Sequence, residues 1–580
     1  MKRKSIDLFT LEIIQESLIA SAEEMFLAFG RTSKSPVIYE VLDYACGITD
    51  SQGQLIAQAA GVPGFLGTLD LAAKQVVGKY PAKDIEPGDV FITNDPYGNG
   101  THLNDVTLLR PIFFEDSLVG FAVNKGHWTD VGGMRFGSWT SDSTEIFQEG
   151  LFFPTIKLYR RGKPNEDLIE LIRRNVRMPE MSLGDMYAQE ASLRVAARRV
   201  EELCSRYGMH AIQQAILKIL VSGERVTSQA LRRLPHGTFE AEDSIDDDGM
   251  HDSPIPVRVK VKITPKKFVV DLRGSSLQVP GPINVSYPAA LCMAKASFKA
   301  ITSPQAPTNE GNFRAVELLT DLRSIFHPLP PAPVSTYWES GMYVADLIMK
   351  ALAPHLPNRL GAGHFLSVCA TILGGVDERT GQTFGIVEPQ PGGWGGSAAK
   401  DGESGQFCVG DGETFGMSNE VIEARYPIRV EQYALNIAGG VGAGKRRGGF
   451  GLIKDYRILS KEAVFTASFG RSKFPPWGLA GGRPGTPNSF LIFRQGKAPE
   501  RHGKIAAAHL ERGDMVRLLT GGGGGYGLPR DREPERVRND VREGYLTIEE
   551  AREVYGIEID SKQYVSGHSI KPSQISKIQI

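Results

Sequence analysis

The sequence NDPYGNGTHLNDVTLL, residues 94–109, is followed closely by FAVNKGHWTDVGG, residues 121–133. The apolar runs in and beside these stretches, DVFIT (89–93), VTLL (106–109) and LVGFAVN (118–124), predict three short strands, because Gly, Asn and Asp bound them. Two histidines and three aspartates therefore lie at strand ends or in the connecting loops. Polar groups among glycines do not form a hydrophobic core. Three explanations compete: a loop that folds on itself, a nucleotide-binding loop, or a metal site.

The regions around this segment predict a mixed α/β protein of several domains. Residues 6–29 place apolar side chains on one helical face, and residues 255–272 alternate as strands with one solvent-facing side. Residues 165–233 are helical, with a capping-box-like start at Ser182 and Asp185, whereas residues 273–335 look rich in loops. We therefore expect a strand-rich N-terminal domain over 1–235 that includes this helical segment, a second α/β domain with glycine-rich loops over 236–525, and a C-terminal segment over 526–580 that packs on the body or on a partner.

Composition and charge exclude several classes of function. Sixty-six Lys and Arg residues against 67 Asp and Glu give a net charge of -1, so no basic surface for nucleic acid is indicated. No apolar run reaches the roughly 18 residues of a membrane span, and the N-terminus MKRKSIDLFTLEII lacks the apolar core of a signal peptide. Five scattered cysteines without a CxxC pair are typical of a reducing compartment. We expect a cytoplasmic protein without a membrane or nucleic-acid partner.

Two glycine-rich stretches are candidates for a nucleotide-binding loop. GGVGAGKRRGG (439–449) has a lysine after alternating glycines, but Arg446 follows Lys445 where a phosphate-binding Walker loop needs Ser or Thr. GGGGGYG (521–527) is richer in glycine, but a dinucleotide site requires a strand before and a helix after such a run, and basic and glycine residues dominate downstream instead. Tight turns with positive φ explain both stretches more simply. We expect no nucleotide on this chain.

The histidines and aspartates of the quoted stretches have the chemistry of a metal site. His102 and Asp105 are three residues apart, and His127 ends the next strand with Asp130 three residues later. Imidazole nitrogen and carboxylate oxygen suit Zn²⁺, Mn²⁺ or Fe²⁺. Ligands on neighbouring strand ends can converge, and further acids can orient the histidine rings. Carboxylates that cap turns remain an equal alternative on spacing alone.

At these residues the chain resembles the hydantoinase B/oxoprolinase family, which includes B-type subunits of ATP-dependent hydantoinases and lactamases, half of 5-oxoprolinase, and large subunits of acetone-type carboxylases. The likeness runs along most of the chain, including GHWTDVGG, STEIFQEGLFFPTIKL (143–158), NVRMPEMSLGDMYAQ (175–189), EARYPIRVEQY (423–433) and GGGGGYGLPRDREPERVRNDVREGYLTIEEA (521–551). The resemblance implies that one divalent metal, Zn²⁺ or Mn²⁺, is held by Asp43, His102, Asp105 and His127.

Four further positions carry expectations from the same resemblance. Asp130 and Glu145 match acidic positions near the site, and we expect one of them to accept a proton during catalysis. Phe65 and Trp128 stand where many members have histidine. We expect these two aromatic side chains to line the substrate pocket, to make it drier and to favour a substrate less polar than 5-oxoproline.

The resemblance implies a division of labour between two different proteins. A hydantoinase A-type partner would bind ATP with Mg²⁺ and phosphorylate a small cyclic amide, and this chain would hydrolyse the activated ring. The complex would be a hetero-oligomer such as a dimer of AB pairs. The alternative is a subunit of an ATP-dependent ketone carboxylase of the acetone or acetophenone type, although acetone-type large subunits are longer. A non-catalytic scaffold is a third possibility, which the complete set of ligand residues disfavours.

Overall fold

A computed structural model describes residues 6–559. Residues 560–580 of the expected C-terminal segment lie outside the described residues. Within the described range the chain forms four β-sheets with helices between and around them. The expected mixed α/β fold class is therefore confirmed.

The N-terminal half is built on a seven-stranded sheet with the order β2-β1-β5-β4-β3-β6-β7. The three strands predicted from apolar runs are β3, β4 and β5 of this sheet. The bounds are β1 Tyr44–Asp50, β2 Leu55–Gln58, β3 Val90–Thr93, β4 Asp105–Phe114, β5 Ser117–His127, β6 Ile156–Arg160 and β7 Lys163–Pro164. β4 and β5 form an antiparallel pair in which Asp105 lies directly opposite His127.

Seven helices accompany this sheet: α1 Leu8–Thr32, α2 Pro36–Tyr39, α3 Pro63–Leu66, α4 Leu69–Lys79, α5 Glu166–Asn175, α6 Pro179–Tyr207 and α7 Met209–Leu231. α1 buries the predicted apolar face, with Ile14, Leu18 and Phe29 among its fully covered residues. α1 packs against α6, and α6 packs against β4 and β5. The segment expected to be helical over 165–233 thus forms three helices, of which α6 packs on the sheet.

The capping-box start expected at Ser182 is wrong. α6 begins at Pro179, and its N-cap Met178 offers no side-chain hydrogen bond. Ser182 Oγ instead donates to the Asp130 carbonyl at 2.8 Å, and Asp185 accepts from the amide of Lys34 at 2.7 Å. Both side chains have the right spacing for a cap, but tertiary partners in other elements use their hydrogen-bonding groups.

A four-stranded sheet and two helices follow α7. The sheet has the order β11-β10-β9-β8, with β8 Gly237–Ile245, β9 Ile255–Ile263, β10 Phe268–Asp271 and β11 Val316–Leu319, and the helices are α8 Tyr287–Thr302 and α9 Trp338–Leu352. Because α8 lies within 273–335, the expectation of a loop-rich region is wrong there. Ser286 caps α8, and ten of its sixteen residues are buried. A helix covered on most sides shows no amphipathic period for a sequence pattern to reveal.

Two further sheets and three helices form the C-terminal part. One sheet has the order β13-β12-β16-β19 and the other has the order β14-β15-β20-β17-β18. The strands are β12 Ala370–Asp377, β13 Gln382–Glu388, β14 Ile428–Leu435, β15 Leu452–Ile458, β16 Glu462–Ser468, β17 Ser489–Phe493, β18 Glu500–His502, β19 Lys504–Glu511 and β20 Met515–Leu519. The helices are α10 Asn419–Arg425, α11 Pro534–Arg542 and α12 Ile548–Glu553.

The glycine-rich stretches pack backbone against backbone. A Cβ on Gly523 would lie 2.1 Å from the Trp394 carbonyl oxygen, and one on Gly448 would lie 1.9 Å from that of Gly523. Within 521–527 a positive φ occurs only at Gly527, so close approach, rather than the expected positive φ, explains most of this run. The amides are also engaged, as Gly523 N donates to Gly449 O at 2.9 Å. The run therefore does not present a row of free N–H groups to a phosphate.

The hydrophobic core is continuous across the expected domain boundary. One cluster of buried side chains extends from Ile14 in α1 to Leu518 in β20. The boundary placed near residue 235 falls between α7 and β8, where helices give way to strands, and the division into domains stays a prediction. Among the described residues, no helix combines the length and apolarity needed to cross a bilayer.

Candidate metal centre

Strand register brings the expected metal ligands together. Asp105 begins β4 and His127 ends β5, and the two residues are paired across the antiparallel ladder. His102 lies in the turn before β4, where its carbonyl accepts from the Asp105 amide at 3.1 Å. Each of these three buried residues offers one ligand atom, and the three atoms lie within 4.8 Å of one another. Among the described residues this is the group of His, Cys, Asp and Glu side chains that could hold a metal ion.

The hydrogen bonds of His102 leave its second ring nitrogen, Nε2, facing the Asp105 carboxylate. Its Nδ1 lies 3.0 Å from the Ser335 carbonyl oxygen, which can only accept, so Nδ1 carries the hydrogen. Nε2 lies 2.9 Å from Asp105 Oδ1. In a neutral ring Nε2 has only a lone pair, so two acceptors would face each other. Either a second ring proton or a bound cation must lie between them.

A second carboxylate fixes the segment that orients His102. The amides of Val334 and Ser335 donate to Glu149 Oε1 at 2.9 and 3.0 Å, and Ser143 Oγ donates to the same oxygen at 2.8 Å. The Ser335 carbonyl then holds the His102 ring. Metal-binding histidines are commonly oriented by such a carbonyl or carboxylate, which fixes the tautomer that leaves the other nitrogen for the metal.

The charge states of the other two ligands also suit a divalent ion. Burial and the neighbouring His102 lower the pKa of His127 to about 3, and its Nδ1 has no hydrogen-bond partner among the described residues. Burial opposes ionisation of Asp105, but His102, His127 and Thr101 outweigh it and hold the pKa of Asp105 below its ordinary value. A neutral imidazole and an ionised carboxylate are the forms that bind metal.

Asp43 lies at the same centre but outside this close group. It follows Leu42, which has a φ of 60°, and its carbonyl accepts from the His127 amide at 3.1 Å. Burial, then the charges of Asp105 and Asp411, raise the pKa of Asp43 well above its ordinary value. A divalent cation would relieve this crowding of carboxylates. The role of Asp43 as a ligand stays a prediction.

The ligands open into a small cavity of about 50 Å³. Aromatic side chains from distant parts of the chain form much of its wall. The His102 ring centroid lies 5.3 Å from that of Tyr337 and 5.6 Å from that of Trp338, and Trp139 packs edge-on against Trp338. The lining residues are Asp43, Val62, Phe65, His102, His127, Trp139, Tyr337, Trp338, Met342, Val368, Ala370, Val387, Glu388, Pro389, Asp411 and Thr414.

The two aromatic residues expected in the substrate pocket take different positions. Phe65, in α3, lines the cavity and is 3% exposed. Trp128 is absent from the lining; its indole N–H donates to Gln189 Oε1 at 2.8 Å and its ring packs edge-on against Phe153. Successive residues of an extended chain point to opposite sides. Because Trp128 directly follows the ligand His127, its side chain points away from the cavity that His127 faces.

The two acids expected to accept a proton do not line the cavity. Asp130 is buried and pairs with Arg177, whose Nη1 lies 2.9 Å from Asp130 Oδ2. Glu145 is exposed and precedes a short 3₁₀ turn at Ile146–Gln148. The catalytic role expected of these acids stays a prediction, and neither carboxylate is placed at the metal ligands.

Several cavity residues escaped the sequence analysis because they come from far along the chain. Tyr337 and Trp338 precede or begin α9, Glu388 ends β13, and Asp411 and Thr414 lie in the loop before α10. One local signal was present for Asp411, since VGDGE places an acid between two glycines, and glycines also lie close to His102 in NDPYGNGTH. Nothing in the sequence indicated that these two loops meet.

Comparisons with known proteins identify the family of the chain. Over residues 7–529 the chain matches the family described as Hydantoinase B/oxoprolinase. The B component of a putative D-/L-hydantoinase from Pseudomonas sp. (strain NS671) is 30% identical over 97% of both chains. The beta subunit of caprolactamase from Pseudomonas jessenii is 30% identical over 96% of this chain and 97% of its own. The crystal structure of the ATP-dependent caprolactamase from Pseudomonas jessenii has a TM-score of 0.89 at 28% identity and covers 99% of both chains. The chain therefore belongs to the hydantoinase B/oxoprolinase family.

Proposed function

We propose that this chain is the metal-containing B-type subunit of an ATP-dependent cyclic amide hydrolase. The observation that carries the proposal is the buried group of His102, Asp105 and His127, whose ligand atoms lie within 4.8 Å of one another, with His102 Nε2 at 2.9 Å from Asp105 Oδ1. Asp43 completes the proposed ligand set. The relatives named as hydantoinase and caprolactamase subunits support the substrate class.

The metal and the cavity would have separate tasks. A divalent ion such as Zn²⁺ or Mn²⁺ at these ligands would lower the pKa of a water molecule that attacks the activated carbon of the ring. Tyr337, Trp338 and Phe65 would surround the apolar part of the ring and exclude bulk water. The substrate would arrive phosphorylated on its amide oxygen. The Walker pattern is interrupted by Arg446 and the amide of Gly523 bonds within the chain, which favours ATP binding on a partner. A hydantoinase A-type partner would therefore bind ATP with Mg²⁺.

The first test is partner dependence. We expect the purified chain alone to turn over neither ATP nor caprolactam, 5-oxoproline or hydantoin. The complex with its A-type partner should convert at least one of these rings to the open amino acid with matching release of ADP. The measurement combines an ADP assay with mass spectrometry of the organic product.

Two results would contradict the proposal. Robust ATP turnover by the isolated chain would remove the need for a partner. Incorporation of ¹³C from labelled bicarbonate into the final product of a ketone substrate, without ring opening of any amide, would favour the ketone carboxylase alternative.

A second prediction concerns the choice of substrate. Phe65→His adds a polar group to the apolar wall, and a missing or added polar partner changes discrimination more strongly than a change of hydrophobic volume. We expect kcat/KM for hydantoin or 5-oxoproline relative to caprolactam to rise by about 5- to 150-fold, equivalent to the roughly 1–3 kcal/mol that an unsatisfied buried polar group costs. Metal content should stay unchanged.

Phe65→Leu is the matched control, because it alters volume at the same position without adding polarity. It should leave the ratio of the two kcat/KM values near that of the wild type. An unchanged ratio in Phe65→His would show that Phe65 serves packing and not selection.

A further inference from the structure

The loop between β13 and α10 brings buried polar atoms with no partner to the metal cavity. Asp411 Oδ2 and Thr414 Oγ1 are both buried, and neither has a hydrogen-bond partner among the described residues. Both residues line the cavity together with the ligands His102 and His127. Burying a carboxylate oxygen without a hydrogen-bond partner costs free energy. Such atoms are typical of a site that is completed by a polar ligand.

The backbone around Asp411 is firmly held. Asp411 N donates to the Cys408 carbonyl at 3.1 Å, and Thr414 N donates to the Asp411 carbonyl at 3.2 Å. The neighbouring Gly410 carbonyl accepts from the amide of Gly64 at 3.0 Å, which ties the loop to α3, the helix that carries Phe65. Asp411 therefore lines the cavity from an anchored turn, next to the helix that carries Phe65.

We propose that Asp411 is the catalytic proton acceptor for the water that attacks the activated amide carbon, with the Thr414 hydroxyl positioning that water. This inference rests on the proposed function and assigns to Asp411 the role that sequence analysis expected of Asp130 or Glu145. Burial raises the pKa of Asp411 to about 7. A carboxylate with an unpartnered oxygen can accept a proton from water and pass it on to the ring nitrogen.

The reaction balances with Asp411 as a proton carrier. Water attacks the carbon of the phosphorylated ring, its oxygen forms the new C–O bond, and one proton moves to Asp411. The electron pair of the C=N bond moves to nitrogen, which takes that proton. The new hydroxyl then gives its proton to nitrogen through Asp411 as the C–N bond breaks, so both water protons end on the amine. The remaining acyl phosphate reacts with a second water to give carboxylate and inorganic phosphate.

The test compares Asp411→Asn with the wild type in the complex with the A-type partner. The amide is nearly isosteric but cannot accept the proton, so kcat for ring opening should fall by about 10²- to 10⁴-fold. The metal content of the purified chain and the KM for the ring should stay close to wild type. Asp50→Asn is the control, since Asp50 is a buried carboxylate that caps the turn after β1 at the far end of that strand from Asp43.

A second variant separates catalysis from structure. Asp411→Ala vacates the position of the carboxylate, and added formate should restore part of kcat in a concentration-dependent manner, which a structural role would not allow. Loss of metal from Asp411→Asn would overturn the proposal in favour of a ligand role, and kcat within about threefold of wild type would overturn it outright. If the wild-type complex opens no cyclic amide, the proposed function itself fails, before any variant is compared.

Discussion

Replacing His127 by alanine is expected to empty the metal site and to abolish ring opening by the complex. His127 supplies a neutral nitrogen whose Nδ1 has no partner in the described structure, so no other protein group competes for the ring. Metal ions contribute several kcal/mol of transition-state stabilisation, so we expect kcat/KM to fall by about 10³-fold or more. The bound metal of the purified chain, measured by elemental analysis, should fall from one per chain towards zero.

The control for this variant is His327→Ala, which makes the same truncation outside the cavity. The His327 ring is partly buried, contacts Tyr287 and lies 2.9 Å from Thr320 Oγ1 through Nδ1. The His327→Ala variant should keep its metal and most of its activity. Circular dichroism should show the same secondary structure for both variants. Full metal occupancy in His127→Ala would contradict the assignment of the centre.

The ligand cluster could be predicted from sequence because it is local. Two adjacent strands with apolar runs, separated by a short turn, must pair as a hairpin, and that pairing sets Asp105 opposite His127. The position of Phe65 at the cavity followed only from the family resemblance. Trp128 shows that a residue next to a metal ligand in the sequence need not line the same pocket, because consecutive side chains of a strand point to opposite sides.

The rest of the cavity depends on contacts that no local pattern encodes. Asp411 lies more than 280 residues after His127, and the contact of its loop with α3 is made by backbone atoms of Gly64 and Gly410. Ser335 orients His102 through a carbonyl oxygen, which every residue possesses. Helix α8 was missed because it is buried on most sides. Where a site is completed by backbone groups and by loops from distant strands, residue type carries little of the information.

The second large effect is expected from the buried ion pair that Glu388, a residue of the cavity wall, forms with Lys454. Lys454 Nζ lies 2.8 Å from Glu388 Oε1, with both side chains no more than 2% exposed. Glu388 also accepts from Gln390 Nε2 at 3.0 Å, from the Met417 amide at 2.9 Å and from the Tyr456 hydroxyl. Lys454→Met keeps the length of the side chain but leaves the carboxylate unbalanced. We expect it to lower the free energy of unfolding by about 3–5 kcal/mol.

The cause of this large loss of unfolding free energy can be tested with two companion variants. Their unfolding in urea is followed by tryptophan fluorescence. Adding Glu388→Gln to Lys454→Met removes the unbalanced charge. The glutamine oxygen can still accept from the Met417 amide and its amino group can donate to the Tyr456 hydroxyl, so the double variant should recover most of the lost free energy. The exposed pair Lys260–Glu240 has nearly the same length, 2.9 Å, but its side chains are 48% and 58% exposed. Lys260→Met should therefore cost less than about 1 kcal/mol, because water screens the charge that remains. If Lys454→Met and Lys260→Met lose the same free energy of unfolding, then water reaches Glu388 and the cavity wall is not dry.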